Sequence, residues 1–297
     1  MLLYLAKRGG VRLSLLIGAG IAIFLIMRPL TAEPTAGTAL PAALDIMRAE
    51  MLAVLAGDLG RAASANTPVA ELLRQRLPVT LSLLAAGLAL ALALALPAGL
   101  LAARRPGGAA DRCLRALAFV TQAMPMAGVA LVMMLVFAIT LRWLPAGGHA
   151  GASAGLGRAA AHLLLPAATL ALAILPVLLC AIRDGTQAAR AERHLLLARA
   201  FGASPRALAW GPMLRLGLAT ALAPHASLVA QALSGAILVE AIFDLPGLGR
   251  LVIESVAARD HVLLRGLALT SAATLVSAAL AGDVLRGLLD PRLRAAP

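Results

Sequence analysis

Long apolar runs alternate along the 297 residues with short segments that hold most of the charge. Six runs stand out, roughly Leu13–Met27, Leu77–Ala103, Ala116–Leu141, Leu163–Ile182, Leu216–Val239 and Val262–Leu285. A helix needs about 20 apolar residues to cross a bilayer core, and most of these runs reach that length free of charge. The first is short, but Arg12 and Arg28 at its ends can snorkel to the interfaces. Arg265 and Asp283 sit near the ends of the last. The pattern predicts an all-α polytopic membrane protein with about six transmembrane helices. Pro97, Pro125, Pro166, Pro176 and Pro224 predict kinks, which membrane helices tolerate where neighbours re-satisfy the backbone. The organisation that follows is an N-terminal helix at 1–30, an outer segment at 31–76, a five-helix core at 77–290 with a polar loop at 183–215, and a tail at 291–297.

Composition agrees with the membrane reading: 61% of residues are hydrophobic and 13% charged, against about a quarter charged in a soluble domain. Lys7 is the one lysine, so positive charge is carried by arginine. With the N-terminus inside, 16 basic residues fall on the cytoplasmic side and 10 on the outer side, while acids divide 5 to 9. The positive-inside rule therefore places both termini in the cytoplasm. The formal charge of +12 reflects this topology and implies no nucleic-acid partner. Lys7, Arg8 and Arg12 also resemble the basic region of a signal peptide, but no convincing small-residue cleavage site follows Met27. Cleavage of the first helix stays open. Cys113 and Cys180 have no metal or redox spacing and imply no disulfide.

Several chemistries are missing. A phosphate-binding P-loop needs lysine beside Ser or Thr after a glycine-rich loop, and Lys7 is followed by Arg8. His149, His162, His194, His225 and His261 are scattered without HExxH spacing, and there is no GxSxG. The expectation is no catalytic residue, no metal site and no cofactor on this chain. Met124, Met126, Met133 and Met134 read as packing residues, since methionine fills irregular gaps between helices. The span cores lack the Asp, Glu or His relay of an ion-coupled pump, and His225 beside Pro224 reads as a packing residue. If the chain moves solute actively, energy must come from another subunit.

The densest chemical signal is Arg183 to Arg215, which carries six arginines between two apolar runs. Its sequence reads as two short helices joined at an elbow. Asp184 with Gln187 resembles a capping box, and Gly202 suits a left-handed C-cap. Ser204 and Pro205 then suit the N-cap and first position of the next helix. Exposed arginines at Arg190, Arg193 and Arg199 would suit a rigid docking element, whereas a simple positive-inside loop facing anionic lipid explains the charge but not the caps.

Gly202, nine residues, then Pro212-Met213-Leu214 resembles the cytoplasmic coupling loop of bacterial ABC importer permeases, with Leu196-Leu197-Ala198 where that family has EAA. The stretch Gly235 to Asp260, containing Pro246-Gly247-Leu248-Gly249-Arg250, is similar to an outer-loop signature of the peptide/nickel-type permeases, in the first-subunit branch of dipeptide and oligopeptide systems. Gly57-Asp58-Leu59-Gly60, Arg76-Leu77-Pro78-Val79-Thr80-Leu81, Trp143-Leu144-Pro145-Ala146-Gly147, Leu165-Pro166-Ala167 and Asp290-Pro291-Arg292-Leu293-Arg294 fit in the same order. Departures are Phe201 where the branch is usually basic, Pro212, Leu216 and Thr220 in place of His, Asn and Pro, and only an echo at Glu33-Pro34.

The resemblance implies a type I ABC importer permease fold in the lipid bilayer. It also implies a second, related permease subunit, two cytoplasmic ATPase subunits and a periplasmic solute-binding protein. The coupling residues it implies are Arg190, Glu192, Arg193, Leu196, Leu197, Ala198, Arg199, Ala200, Gly202, Ala203, Arg206 and Leu214. The signature residues are Gly235, Glu240, Phe243, Pro246, Gly247, Gly249, Arg250 and Asp260. The cargo it implies is a small solute, with peptides preferred over nickel complexes. An ion-coupled transporter or channel without ATPase, or a membrane scaffold, are the readings from other classes.

Overall fold

The computed structural model describes residues 2–31, 48–49, 52–54, 56–63, 66–149, 155–190, 214–222 and 224–289, with positions 192, 195, 197, 200–202, 204, 208 and 211 between. Among the described residues nine helices are named in chain order: α1 Leu2–Thr31, α2 Val69–Arg104, α3 Ala109–Ala123, α4 Met126–Met133, α5 Leu156–Arg190, α6 Leu214–Ala221, α7 His225–Ile242, α8 Leu248–Ala257 and α9 His261–Leu289. A π-helical turn, Met134–Thr140, continues α4. Among the described residues the only strand pairing is one bridge, Arg61 to Pro68.

Among the described residues five helices are long and apolar enough to cross a membrane, and α3 with α4 and its π-turn makes a sixth only if counted together across a 104° bend. The chain is an all-α, multi-pass membrane protein. The bend falls inside the expected span Ala116–Leu141, which is one span only when the pair is counted together. Its cause is Pro125, which offers no N–H and forces Met124 into an extended conformation (φ −82°, ψ 131°). Likewise, the expected span Leu216–Val239 is two helices, broken before His225 at Pro224. By contrast, Pro97 inside α2 and Pro166 and Pro176 inside α5 leave their helices continuous. The expected capping box at Asp184 and Gln187 is also corrected. Both lie in the last two turns of α5, so no helix begins there.

The pair α2 and α5 forms the spine of the bundle. At 1.5 Å per residue, α2's 36 residues run about 54 Å, well past a core of roughly 30 Å. Its buried face repeats every four residues through Leu83, Gly87, Ala91, Ala95, Gly99 and Ala103. A Cβ on Gly87 would come within 2.9 Å of Leu170, and one on Gly99 within 2.8 Å of Ile182. Lipid is as apolar as leucine, so burying Leu170 away from it yields little hydrophobic gain. Close backbone approach through small residues supplies the attraction instead. A main core joins α2, α4, α5 and α7, and a smaller one joins Val69 and Leu73 of α2 to Leu248 and Leu251 of α8 and Leu263 and Leu267 of α9.

Helix α1 lies at the periphery against α9 and exposes Leu13, Ile17, Ile21 and Leu25. One polar cluster anchors it. Arg12 sits 3.2 Å from buried Asp283, and Asp283 is 3.4 Å from the His225 ring. His225 Nδ1 lies 2.7 Å from the carbonyl of Leu222 at the α6–α7 break. Gly282 leaves room for the imidazole, whose ring a Cβ there would overlap. His225 therefore packs as expected, but as part of an ionic cluster. Asp283→Ala is expected to lower the unfolding free energy by about 1.5 kcal/mol, the low end for a hydrogen bond to a charged group, since Arg12 keeps some exposure. Thermal unfolding in detergent checks this. An unchanged midpoint would show that the cluster does not anchor α1.

Candidate functional site

At the end of the bundle away from the elbow, the start of α8 is built around one buried carboxylate. Glu240, in the last turn of α7, is fully buried. Its Oε1 accepts the Thr80 hydroxyl hydrogen at 2.7 Å, and its Oε2 accepts the backbone N–H groups of Gly249 at 2.6 Å and Arg250 at 3.2 Å. The Thr80 oxygen in turn accepts the N–H of Leu248 at 2.8 Å. These are first-turn donors of α8, which have no partner within their own helix. A carboxylate placed there satisfies them and complements the helix dipole. The glycines follow from crowding: a Cβ on Gly247 would overlap the Glu240 carboxylate, and one on Gly249 the backbone of Ile237.

The same end gathers the remaining signature residues. Phe243 is fully buried, and its carbonyl accepts the Gly148 N–H at 2.9 Å, docking the Trp143–Gly148 loop. Gly147 is needed there because its Cβ would come within 2.7 Å of that carbonyl. Arg250 pairs with Asp244, and with Glu254 at 2.9 Å. Pro246 is half-buried in the turn before α8. Asp260 is buried and caps α9 by accepting the Leu263 N–H at 3.0 Å. Gly235 is a correction to the expected outer loop. It lies mid-helix in α7, where a Cβ would come within 3.1 Å of Leu170 and 3.2 Å of Met126.

At the other end, the elbow is carried on the hairpin of α5 and α6. Gly202 has φ +85° with open space around its Cβ position, so its requirement is conformational. Phe201 N–H donates to Leu197 O at 2.9 Å before Gly202, and Leu208 N–H donates to Ser204 O at 3.1 Å after it. A helical turn thus stops at Gly202 and another starts at Ser204, as the residues predict. Leu195 and Leu208 are buried and root the two limbs, while Leu197, Ala200 and Phe201 are exposed, Phe201 by 88%. The described side chains at the tip are therefore apolar.

Arg190 is not the exposed docking charge expected. It is half-buried, and its Nη1 donates to the carbonyls of Ala103 and, at 2.8 Å, Arg104. Those carbonyls end α2 and lack partners in their own helix, so the guanidinium is drawn inward. Glu192 is likewise half-buried in a turn, its N–H donating to Ala189 O at 3.1 Å. Leu214 opens α6 and is half-buried. Arg193, Leu196, Ala198, Arg199, Ala203 and Arg206 lie outside the described residues, as do Pro212, Met213 and Asp290 to Arg294.

Residues 95–295 match the family described as binding-protein-dependent transport system inner membrane component. The chain belongs to this family. It is similar to the probable peptide ABC transporter permease protein y4tP of Sinorhizobium fredii, 28% identical over 98% of this chain and 99% of that one. It is also similar to the oligopeptide transport system permease protein AppB of Bacillus subtilis, 27% identical over 99% of both chains. A putative peptide transport system permease protein of Brucella abortus is 29% identical over 80% of this chain and 76% of that one.

Sequence reasoning missed three contributors to this permease. Thr80 was visible only within the run Arg76 to Leu81, and nothing local marks it as the partner of a glutamate 160 positions away. Asp111 and Arg183 form a two-point ion pair, one contact at 3.0 Å, with Asp111 also accepting the Gly107 N–H at 2.9 Å. They clamp the α2–α3 loop to α5 beside the elbow. The third contributor is the Arg12–Asp283–His225 cluster, for which charge near the ends of α9 was the available signal.

Proposed function

We infer that this chain is a transport subunit, not itself an enzyme, of an inner-membrane importer that carries peptides. It pairs with a second, related permease and is driven by two ATPase subunits on the cytoplasmic side. A periplasmic solute-binding protein delivers cargo to the end that carries α8. Both termini and the elbow face the cytoplasm, in keeping with the distribution of Lys and Arg. The peptide assignment leans on the relatives whose names specify peptides.

One observation carries the coupling role: an elbow that ends a helical turn at Gly202 and exposes Leu197 and Phe201. An apolar knob on a capped turn suits a cleft on a partner. Leucine and phenylalanine held in water at a cytoplasmic loop have no other use among the described contacts. Movement of that partner on ATP binding would then reach α5 and α6 directly, and a rigid-body switch would alternate access to the path.

Substitution at Gly202 tests this. A left-handed conformation costs a non-glycine residue roughly 1–2 kcal/mol, a β-branched residue more, and asparagine less. Gly202→Val is therefore expected to reduce retention of the ATPase subunits by at least about tenfold, with Gly202→Asn close to wild type. Co-purification from membranes in which both variants insert normally provides the readout. Equal retention by Gly202→Val would remove the elbow argument, and no ATPase retained by wild type would favour a self-contained transporter.

A further inference from the structure

Exposed faces of membrane helices normally meet lipid, and most do so here. The exposed positions of α1 include Leu13 and Ile17, those of α2 Leu81 and Leu88, and those of α4 with its π-turn Leu131, Leu135 and Ile139. Helix α7 differs. Its exposed positions fall on one stripe at helical spacing, Ser227, Gln231, Ser234, Leu238 and Ala241. The two serines turn their hydroxyls back onto the carbonyls of Pro224 and Ala230. Gln231 has no hydrogen-bond partner among the described residues. A carboxamide in hydrocarbon would leave its donors and acceptor unsatisfied, at a cost of several kcal/mol. This stripe therefore faces water or a polar occupant.

A crevice of about 260 Å³ opens beside it, lined by Gln122, Met124, Met126, Leu172, Gln231 and Ser234 among others. The bend at Pro125 creates it: α4 turns away by 104°, leaving Gln122 in the last turn of α3 across the crevice from α7. Gln122 is exposed and, like Gln231, has no hydrogen-bond partner among the described residues. Among the described residues no charged side chain lines the crevice. Its polar lining is two neutral carboxamides with the hydroxyls of Thr121 and Ser234, both turned back onto their own helices, and its apolar lining includes two flexible thioethers. A carboxamide both donates and accepts, which matches the N–H and C=O that every peptide unit presents whatever its side chain. Methionine adapts its shape to varied neighbours.

We propose that Gln231 and Gln122 line the solute path and hold the backbone amides of a peptide passing through it. This rests on the importer reading above and on peptides as its cargo. The subsite reads main chain and tolerates side chains, so peptides of different sequence share it. Its volume lies just below the roughly 300–1,000 Å³ of small-molecule sites, as fits half a site completed by a second permease.

The test uses the complete transporter, with its ATPase and permease partners, in sealed vesicles on a Cys113→Ser, Cys180→Ser background. Gln231→Cys is expected to react with a charged, water-soluble maleimide, while Leu88→Cys on the lipid face of α2 is not. Saturating trialanine should slow the reaction of Gln231→Cys. Gln231→Ala should raise the trialanine concentration for half-maximal uptake about fivefold, the size of one net hydrogen bond, without loss of assembly. Equal inertness of Gln231→Cys and Leu88→Cys, or a cross-link from Gln231→Cys to the second permease in place of labelling, would overturn the path. Labelling that trialanine does not slow, in vesicles that import trialanine, would overturn the subsite. Wild-type vesicles without ATP-dependent trialanine uptake would instead sink the peptide cargo and the subsite with it. The labelling contrast needs no cargo and is judged separately.

Discussion

Glu240→Ala is expected to destabilise the permease by about 3–5 kcal/mol, since two or three buried donors lose their acceptor at roughly 1–3 kcal/mol each. The Gly249 and Arg250 N–H groups belong to the first turn of α8 and have no intrahelical alternative. The Thr80 hydroxyl would lose its acceptor while still receiving the Leu248 N–H. The damage should spread through the α7–α8 turn to Phe243, whose carbonyl holds the Trp143–Gly148 loop. Glu240→Gln provides the control. Its amide oxygen can still accept from Gly249 and Arg250, while its NH₂ can donate to the Thr80 oxygen, so the loss should be less than half as large. Thermal unfolding in detergent, with limited proteolysis between α7 and α8, reads both variants. If Glu240→Ala melts within a degree or two of wild type and resists protease equally, the carboxylate does not organise this end.

Gly185→Val should produce the second largest effect, at the hairpin that carries the elbow. A Cβ on Gly185 would fall onto the side chain of Thr220 in α6, overlapping its hydroxyl and methyl groups. The Thr220 hydroxyl donates to Gly217 O at 2.8 Å, and Thr186 occupies the space beside Gly217, so neither helix can yield locally. Overpacking of this kind typically costs about 1–3 kcal/mol, and a valine adds two methyl groups beyond the overlapping Cβ. The expected outcome is separation of α5 from α6, with ATP-driven uptake lost although the protein still inserts. Thr220→Gly in the same chain removes the obstructing side chain and should restore part of the uptake. The double mutant then performs better than Gly185→Val alone, an interaction of opposite sign to simple additivity. No rescue, in a double mutant that folds, would show that the contact between these helices is not what transmits movement.

The candidate site was legible where a signal is local. Gly202 followed by Ser204 marks a helix stop and restart, and the positive φ and the two flanking i→i+4 bonds are what those residues require. Gly247 and Gly249 were legible only as members of the run Pro246 to Arg250, because their reason, the carboxylate of Glu240 and the backbone of Ile237, is tertiary. Arg190 was misread because charge alone points to solvent. Only the arrival of α2's C-terminal carbonyls beside α5 makes an inward guanidinium favourable. Gln231 and Gln122 attracted no notice, since a lone glutamine in an apolar run carries no motif.

By itself the chain determined how many stretches can enter a membrane and where prolines threaten them, because a run of about 20 apolar residues and a missing N–H act without reference to distant residues. Which face of each helix turns inward was a different matter. In a lipid solvent apolar side chains gain little by burial, so hydropathy does not distinguish an inward leucine from an outward one. The alternating Ala and Leu of α2 put small residues on both sides, Ala91 and Ala95 buried but Ala89 and Ala93 exposed. The same alternation leaves the path-facing stripe of α7 and the partner of Glu240 unreadable along the chain. Those were decided by shape: the 104° turn at Pro125, the glycine-lined approach of α2 to α5, and a threonine brought to a glutamate from 160 residues away.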